Sequence, residues 1–178
     1  KFVKHFTPEH ANKLRFYSGP PPLFDRFEVE EQIDKSLQKK VILKSGGSVI
    51  IESTEAMTVI DVNTGKFTGT GSMEDTILKT NLEAADEIVT QLRLRNIGGL
   101  IVIDFIDMAN ASNRNKLSRF LEKTLKEKDK YQSVALRISE FGLVQMTRKR
   151  SGKTLLQQLT HTCSTCDGSG FVKSIPSI

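Results

Sequence analysis

The sequence predicts an α/β sandwich around a mixed sheet, on three observations. Two long runs with helical spacing of apolar residues, 75–96 and 113–128, alternate with short β-branched runs. The apolar run 99–105 follows the first of them directly after Gly98. Residues 41–51 hold two β-branched stretches around Ser45, Gly46, Gly47 and Ser48, which is a hairpin signal.

Each element follows in order. Residues 1–24 carry weak periodicity and include Pro20, Pro21 and Pro22, which block a helix and favour an extended connector. This stretch is expected to be the tail of a preceding unit, and a chain opening on Lys is expected to be cut from a longer protein. Residues 27–40 predict an amphipathic helix, with Val29, Ile33 and Leu37 on one stripe. Strands are expected over 41–43, 49–51 and 57–62, and a loop or irregular hairpin over 64–71. In the helix over 75–96, Leu78, Leu82, Ala85, Val89 and Leu92 keep helical spacing. Asp75 is placed to cap its start and Gly98 to end it. The run 99–105 reads as a central strand buried on both faces. If the strands flanking the long helix are parallel, the connection is a right-handed crossover. The helix over 113–128 should turn Leu117, Phe120, Leu121 and Leu125 inward. Two strands, 133–138 and 142–147, and a short helix over 155–159 complete the pattern.

At 178 residues, 38% hydrophobic and 26% charged, the composition is that of a soluble globular chain. The net charge of +5 permits polyanion binding without establishing it. Arg148, Lys149, Arg150 and Lys153 form a compact basic run and are candidate phosphate contacts. Arg93 and Arg95 close the long helix and are expected beside the candidate site, either for phosphate contact or to compensate the helix dipole. No apolar run approaches the roughly 20 residues of a membrane span. The only cysteines, Cys163 and Cys166, suit a reducing compartment better than a disulfide scaffold.

The chemistry concentrates on two aspartates that close apolar runs, Asp61 after 58–60 and Asp104 after 100–103. Two such strands side by side would aim hard oxygen ligands at one point, as Mg²⁺ or Mn²⁺ requires. Asn63, two residues beyond Asp61, shares its strand face and could assist. The plainer reading is that both aspartates cap turns. Asp107 is expected to be a turn residue, and Glu55 only an outlying support.

These residues lie within longer matches: 60–63, 80–88, 91–95, 98–108 and 141–143, followed by a terminal CxxCxGxG. Together they resemble the catalytic core of the ribonuclease E/G family over most of the chain. The resemblance implies a DNase I-like mixed sheet flanked by helices over 45–150. It is preceded by the end of an RNase H-like subdomain and connector over 1–44 and followed by a zinc-link segment over 151–178. It further implies a single-strand-specific endoribonuclease with Asp61 and Asp104 as Mg²⁺ ligands and Asn63 assisting. Products would carry 5′-phosphate and 3′-hydroxyl ends. The resemblance implies a bacterial cytoplasmic setting, or else a plastid one. The family's S1 domain, 5′-monophosphate sensor and C-terminal tetramer-building domain have no counterpart in these residues, so weak RNA binding and weak or absent cleavage are expected of this stretch alone. Ser164 departs from the proline usual inside the cysteine motif.

One CxxC supplies two zinc ligands where structural zinc takes four. Either His161 joins, with a fourth ligand still to be found, or a second chain contributes its own pair. A redox pair would sit at a helix start after a strand, a setting this motif lacks. The resemblance implies the second route, a homodimer sharing Cys163 and Cys166 around Zn²⁺, and a tetramer in the longer parent. Two other function classes compete: a zinc-dependent interaction module, since CxxCxGxG also occurs in J-domain co-chaperones, and a noncatalytic RNA-binding scaffold.

Overall fold

The computed structural model describes residues 2–65 and 73–174, so most of the loop expected over 64–71 lies outside the described residues. The chain divides into two compact units, Lys1–Lys35 and Ser36–Ile178. The first begins with α1 (Phe2–Phe6), a 3₁₀ turn (Pro8–Lys13) and α2 (Leu23–Arg26), none of which buries a residue. Its local ties include the Tyr17 hydroxyl, which donates to the Pro21 carbonyl at 2.6 Å, the Arg26 guanidinium 5.3 Å from the Tyr17 ring centre, and the Phe2 and Phe6 rings at 4.6 Å. α3 (Val29–Leu37) follows.

The second unit is built on a six-stranded mixed sheet of order β1-β2-β3-β4-β6-β5. The strands are β1 (Lys40–Ile42), β2 (Ser48–Ser53), β3 (Met57–Asn63), β4 (Gly99–Asp104), β5 (Ser133–Ala135) and β6 (Leu143–Arg148). β3 and β4 run parallel, joined by the 22-residue helix α4 (Met73–Leu94), and the remaining pairs are antiparallel. A parallel pair needs such a crossover because a tight turn cannot return the chain to the same end. The β1–β2 hairpin forms as its glycines predict, and the backbone N–H of Ser45 at its tip donates to the Glu83 carboxylate on α4 at 3.2 Å.

α4 and α5 (Ala111–Lys128) pack on one face of the sheet. Ile60, Val62, Ile101, Ile103, Val144 and Met146 point there and meet Ile88, Leu92, Leu117 and Leu121, all essentially solvent-free. Each such side chain contributes about 1.5–3 kcal/mol by leaving water. Among the described residues the opposite face is the more exposed one. In β4, Leu100 is exposed and Val102 half-buried, while Ile101 and Ile103 are buried. This corrects the expectation that 99–105 is buried on both faces: an unbroken apolar run fixes a strand, not the number of layers around it.

The helix caps also differ in detail. α4 begins at Met73, which puts Asp75 inside its first turn. Its end is set by Asn96, not Gly98: Asn96 adopts φ 51°, the Ile97 N–H bonds the Leu92 carbonyl at 3.0 Å, and the Asn96 N–H bonds that of Arg93 at 3.2 Å. This is a Schellman ending with Asn at the left-handed position. The Asn96 side chain also donates to the carbonyls of Ser151 and Lys153, at 2.5 and 3.0 Å. Asn96→Ala is therefore expected to lower stability by about 1–2 kcal/mol, from the left-handed backbone penalty alone. Asn96→Gly should cost less, and denaturant midpoints of the two variants measure the difference. Gly98 has a different role: a Cβ there would lie 2.9 Å from Arg150 Cα, so glycine lets the chain just beyond β6 approach.

α5 is capped by Asn110, whose side chain accepts from the Ser112 N–H at 2.8 Å. α6 (Leu155–Leu159) opens on a capping box between Thr154 and Gln157. Among the described residues no helix is long and apolar enough to cross a membrane.

Candidate active site

Asp61 and Asp104 are register partners across the parallel β3–β4 pair. Paired positions on neighbouring strands lie about 4.8 Å apart and direct their side chains to one face. That face is the open one, since Ile60, Val62 and Ile103 occupy the buried alternation. Asn63 follows on the same face, and its Nδ2 donates to Asp61 Oδ2 at 2.6 Å. The structure thus brings Asp61, Asn63 and Asp104 together at the C-terminal end of two adjacent strands.

The electrostatics are those of crowded like charges. Partial burial pushes the Asp104 carboxyl above its ordinary range, and the charges of Asp61 and Asp107 push it further. Asp107 therefore acts on the site through its charge, beyond the turn role expected of it. Among the described residues no three His, Cys, Asp or Glu side chains are grouped to hold one ion, so the donor set at this point is two carboxylates and one amide. Glu55 lies in the turn before β3, at the opposite end of that strand, and does not support the site.

Two features that sequence reasoning passed over position this end of the sheet. Asn81 on α4, fully buried, clamps the peptide of Ile106: its Nδ2 donates to the Ile106 carbonyl at 2.8 Å and its Oδ1 accepts from the Ile106 N–H at 3.1 Å. The clamp holds the chain two residues beyond Asp104. Its signal was an Asn on the inward stripe of an apolar helix. Gly142, at φ 74°, fills the second role: a Cβ there would lie 2.5 Å from the Phe105 carbonyl oxygen. The Phe105 N–H in turn donates to the Gly142 carbonyl at 3.2 Å.

The expected basic contacts fall elsewhere. α4 leaves the carboxylate end of β3 and must return to the start of β4, so Arg93 and Arg95 sit at the far end of the sheet. Gly99 pairs with Arg148, which puts Arg148, Lys149 and Arg150 at that same far end. β4 spans five residue steps from Gly99 to Asp104, about 16 Å at 3.3 Å per residue. None of the five cations stands beside Asp61 and Asp104.

Arg148 is withdrawn from solvent altogether, at 3% exposure. It forks onto Asp129, Nε to Oδ2 at 2.6 Å and Nη2 to Oδ1 at 3.0 Å, while Nη1 donates to the Ile97 carbonyl at 2.6 Å. The Tyr131 ring lies 4.8 Å from its guanidinium carbon. A guanidinium with all these bonds is a structural element, so the RNA-contact role expected of Arg148 does not hold. Arg95 is likewise buried at 8% exposure. Arg93, Lys149 and Arg150 remain exposed.

The cysteines lie after α6 in a run of tight turns. Cys163 is exposed and Cys166 half-buried, both as free thiols. Backbone N–H groups of Thr165 and Cys166 hold the Cys163 thiol below its ordinary range. The Gly170 N–H approaches Cys166 Sγ at 3.4 Å, and Asp167, Gly168 and Gly170 all take positive φ. Amides turned toward sulfur favour thiolates and so suit a metal. Two thiols are half of a tetrahedral set, and His161 is exposed nearby in sequence.

Comparison with known proteins identifies the family. A profile described as "Ribonuclease E/G family" matches residues 1–151. "Ribonuclease G" of Escherichia coli (strain K12) is 46% identical over all 178 residues, which cover 36% of that protein. "Ribonuclease G" of Haemophilus influenzae is also 46% identical, with the same coverage. "Ribonuclease E" of Escherichia coli (strain K12) is 43% identical over 171 residues, 96% of this chain and 16% of that protein. The chain thus spans about a third of the Ribonuclease G relatives it matches. With paired aspartates inside the matched region and identity extending along the whole sequence, the chain belongs to the Ribonuclease E/G family.

Proposed function

We propose that this chain is the catalytic core of a metal-dependent endoribonuclease acting on single-stranded RNA, and that its sheet is a DNase I-like subdomain. The carrying observation is the direct pairing of Asp61 with Asp104 on one open sheet face. The donor set fits Mg²⁺, which takes one or two carboxylates and completes its octahedron with water and phosphate oxygens. Like charge at Asp61, Asp104 and Asp107 is repulsive by itself and is relieved by a divalent cation. Asn63 now turns its nitrogen to Asp61; rotating the amide would present Oδ1 to the same point. When bound, Mg²⁺ supplies charge neutralisation at phosphate and lowers the pKa of water. Asp61 and Asp104 fix the position of attack, and Asn81 and Gly142 hold the chain beyond Asp104. Water as the nucleophile gives 5′-phosphate and 3′-hydroxyl ends. The names of the relatives, Ribonuclease G and Ribonuclease E, support the substrate class.

The test uses the full-length parent with a short single-stranded RNA. Mg²⁺-dependent cleavage with those ends is expected, along with its loss in Asp61→Asn while RNA binding is kept. Cleavage that persists unchanged in Asp61→Asn would end the reading.

We further propose that Cys163 and Cys166 hold half of a zinc site completed by a second copy of the chain, which makes a dimer here and contributes to a tetramer in the parent. The bacterial cytoplasm, with its reducing poise, suits such thiolates. Metal analysis should find one zinc per two chains, and Cys163→Ser or chelation should convert dimers to monomers in sedimentation. One zinc per monomer would refute the sharing.

A further inference from the structure

Strand register lays out a path on the open face of the sheet, leading away from the carboxylates. On the β6 side, Leu143 stands opposite Asp104, Gln145 opposite Val102 and Thr147 opposite Leu100. On the β3 side, Val59 stands opposite Val102. Alternation along β6 turns Val144, Met146 and Arg148 inward and leaves Leu143, Gln145 and Thr147 outside. Lys149 continues the outer row: its N–H bonds the Gln132 carbonyl at 2.9 Å, so the ladder runs on past β6, and Lys149 is exposed. From Leu143 to Lys149 is six residue steps, about 20 Å.

The chemistry of this path suits a nucleobase better than a phosphate. Val59, Leu100 and Leu143 are 36–40% exposed and Val102 is half-buried. Gln145 and Thr147 are exposed, and among the described residues their side chains make no hydrogen bond, nor does Lys149 form an ion pair. Aliphatic groups can meet the flat face of a base, while an amide and a hydroxyl can meet its edge. Along β4 and β6 no cation meets a phosphate before Lys149, and at the other end Asp61, Asp104 and Asp107 repel one. RNA lying here therefore turns its bases to the sheet. That needs unpaired bases, because a duplex hides their faces and their pairing edges. The path is continuous with Asp61 and Asp104, so a polypeptide laid over these rows would stand where RNA has to reach the carboxylates.

We propose that Gln145 is a specificity-determining residue, reading the edge of a base beside the scissile bond while Leu143 and Val102 support that base, and that Lys149 takes a phosphate where the strand leaves the sheet. The inference rests on the endoribonuclease reading above and deepens it. Gln145 lies two residues along β6 from the partner of Asp104, about 7 Å, which puts its amide next to the reacting phosphate and not on it. An amide offers a donor and an acceptor together, so it distinguishes bases. The ammonium of Lys149 contacts any sequence equally.

The test uses the full-length parent on a pool of short single-stranded RNAs randomised around one cleavage site. Gln145→Ala should flatten the base preference at one position beside the cut by about tenfold, with the Mg²⁺-induced rise in melting temperature kept. Lys149→Ala should weaken RNA binding alike for all sequences and lower the salt slope of affinity by about one. A second arm needs no cleavage: Thr147→p-benzoylphenylalanine in the Asp61→Asn parent should photo-crosslink to RNA, in competition with unlabelled single strand and not with duplex. A base profile unchanged in Gln145→Ala would overturn the proposal, and so would crosslinks that form to polypeptide instead of RNA. Failure here is distinct from failure of the endoribonuclease reading, which stands or falls on whether Asp61→Asn abolishes cleavage by the otherwise unaltered parent.

Discussion

Asp129→Ala is expected to destabilise the folded chain by about 3–5 kcal/mol, the loss that follows when one partner of a buried ion pair is removed. The pair is enclosed on all sides: both side chains are 1% exposed. Arg148 reaches Asp129 with two nitrogens and the Ile97 carbonyl with the third. Asp129 also accepts from the Tyr131 N–H at 3.2 Å and from the Ser133 hydroxyl at 3.5 Å. The substitution therefore strands a full charge in the interior between the end of α5 and the last residue of β6. A double variant, Asp129→Leu with Arg148→Met, should recover much of the loss, because apolar groups of similar volume need no partner. Urea midpoints for the two singles and the double give the coupling. A single-variant loss below about 1 kcal/mol would assign the pair to the solvated class instead.

The same pair predicts a pH dependence. Burial is the largest influence on Asp129 and pushes its carboxyl up. The hydrogen bonds from Arg148, Tyr131 and Ser133, with the Arg148 charge, outweigh it and leave the carboxyl below its ordinary value. A depressed folded pKa binds protons less tightly than the unfolded chain does. The stabilisation is therefore complete above the unfolded value of about 4 and is lost as pH falls through the folded one. Acid titration of wild type should show this loss below about pH 4, and Asp129→Ala should lack that component.

These residues also show what the sequence can carry. Helix and strand order was legible because period and punctuation agreed: the stripe Ala85, Val89, Leu92 for α4, the glycines between β1 and β2, and the β-branched run of β4. The pairing of the aspartates was legible because both end apolar strand runs. Arg148 was misread because adjacency along the chain looks like a surface patch. Strand alternation puts it in the row of Val144 and Met146, hence inside, while its partner Asp129 is 19 residues away and invisible to any local pattern. Arg95 likewise continues the inward stripe of Ile88, Gln91 and Leu92. Its distance from the carboxylates follows from a parallel crossover, since the helix must end where the next strand begins. The open second face of β4 could not be read at all, because what covers a strand depends on elements remote from it.

Asp104→Asn is expected to make the metal-free chain more stable while abolishing cleavage by the parent. The carboxylate stands across the strand pair from Asp61 and near Asp107, and burial and those two charges hold its pKa above the ordinary range. A carboxyl whose folded pKa is raised destabilises the fold as pH climbs through that value. At neutral pH the carboxamide removes the repulsion at nearly equal volume, so a higher melting temperature is expected without Mg²⁺. The order should reverse with the ion. Mg²⁺ binding only the folded state raises the wild-type melting temperature by mass action, and Asp104→Asn, with one charge fewer at the site, should respond much less. Cleavage by the full-length Asp104→Asn parent should fall by at least about 10²-fold, the scale of losing one preorganised electrostatic contact at a reacting centre. Two independent measurements therefore bear on one side chain, thermal melting with and without Mg²⁺ and rate on RNA. A variant that lost activity but kept the full Mg²⁺-induced rise in melting temperature would move the ion away from Asp104 and leave the carboxylate a different catalytic role. One that gained no stability without Mg²⁺ would show that Asp61 and Asp104 do not repel, and with it would go the argument that their pairing calls for a cation.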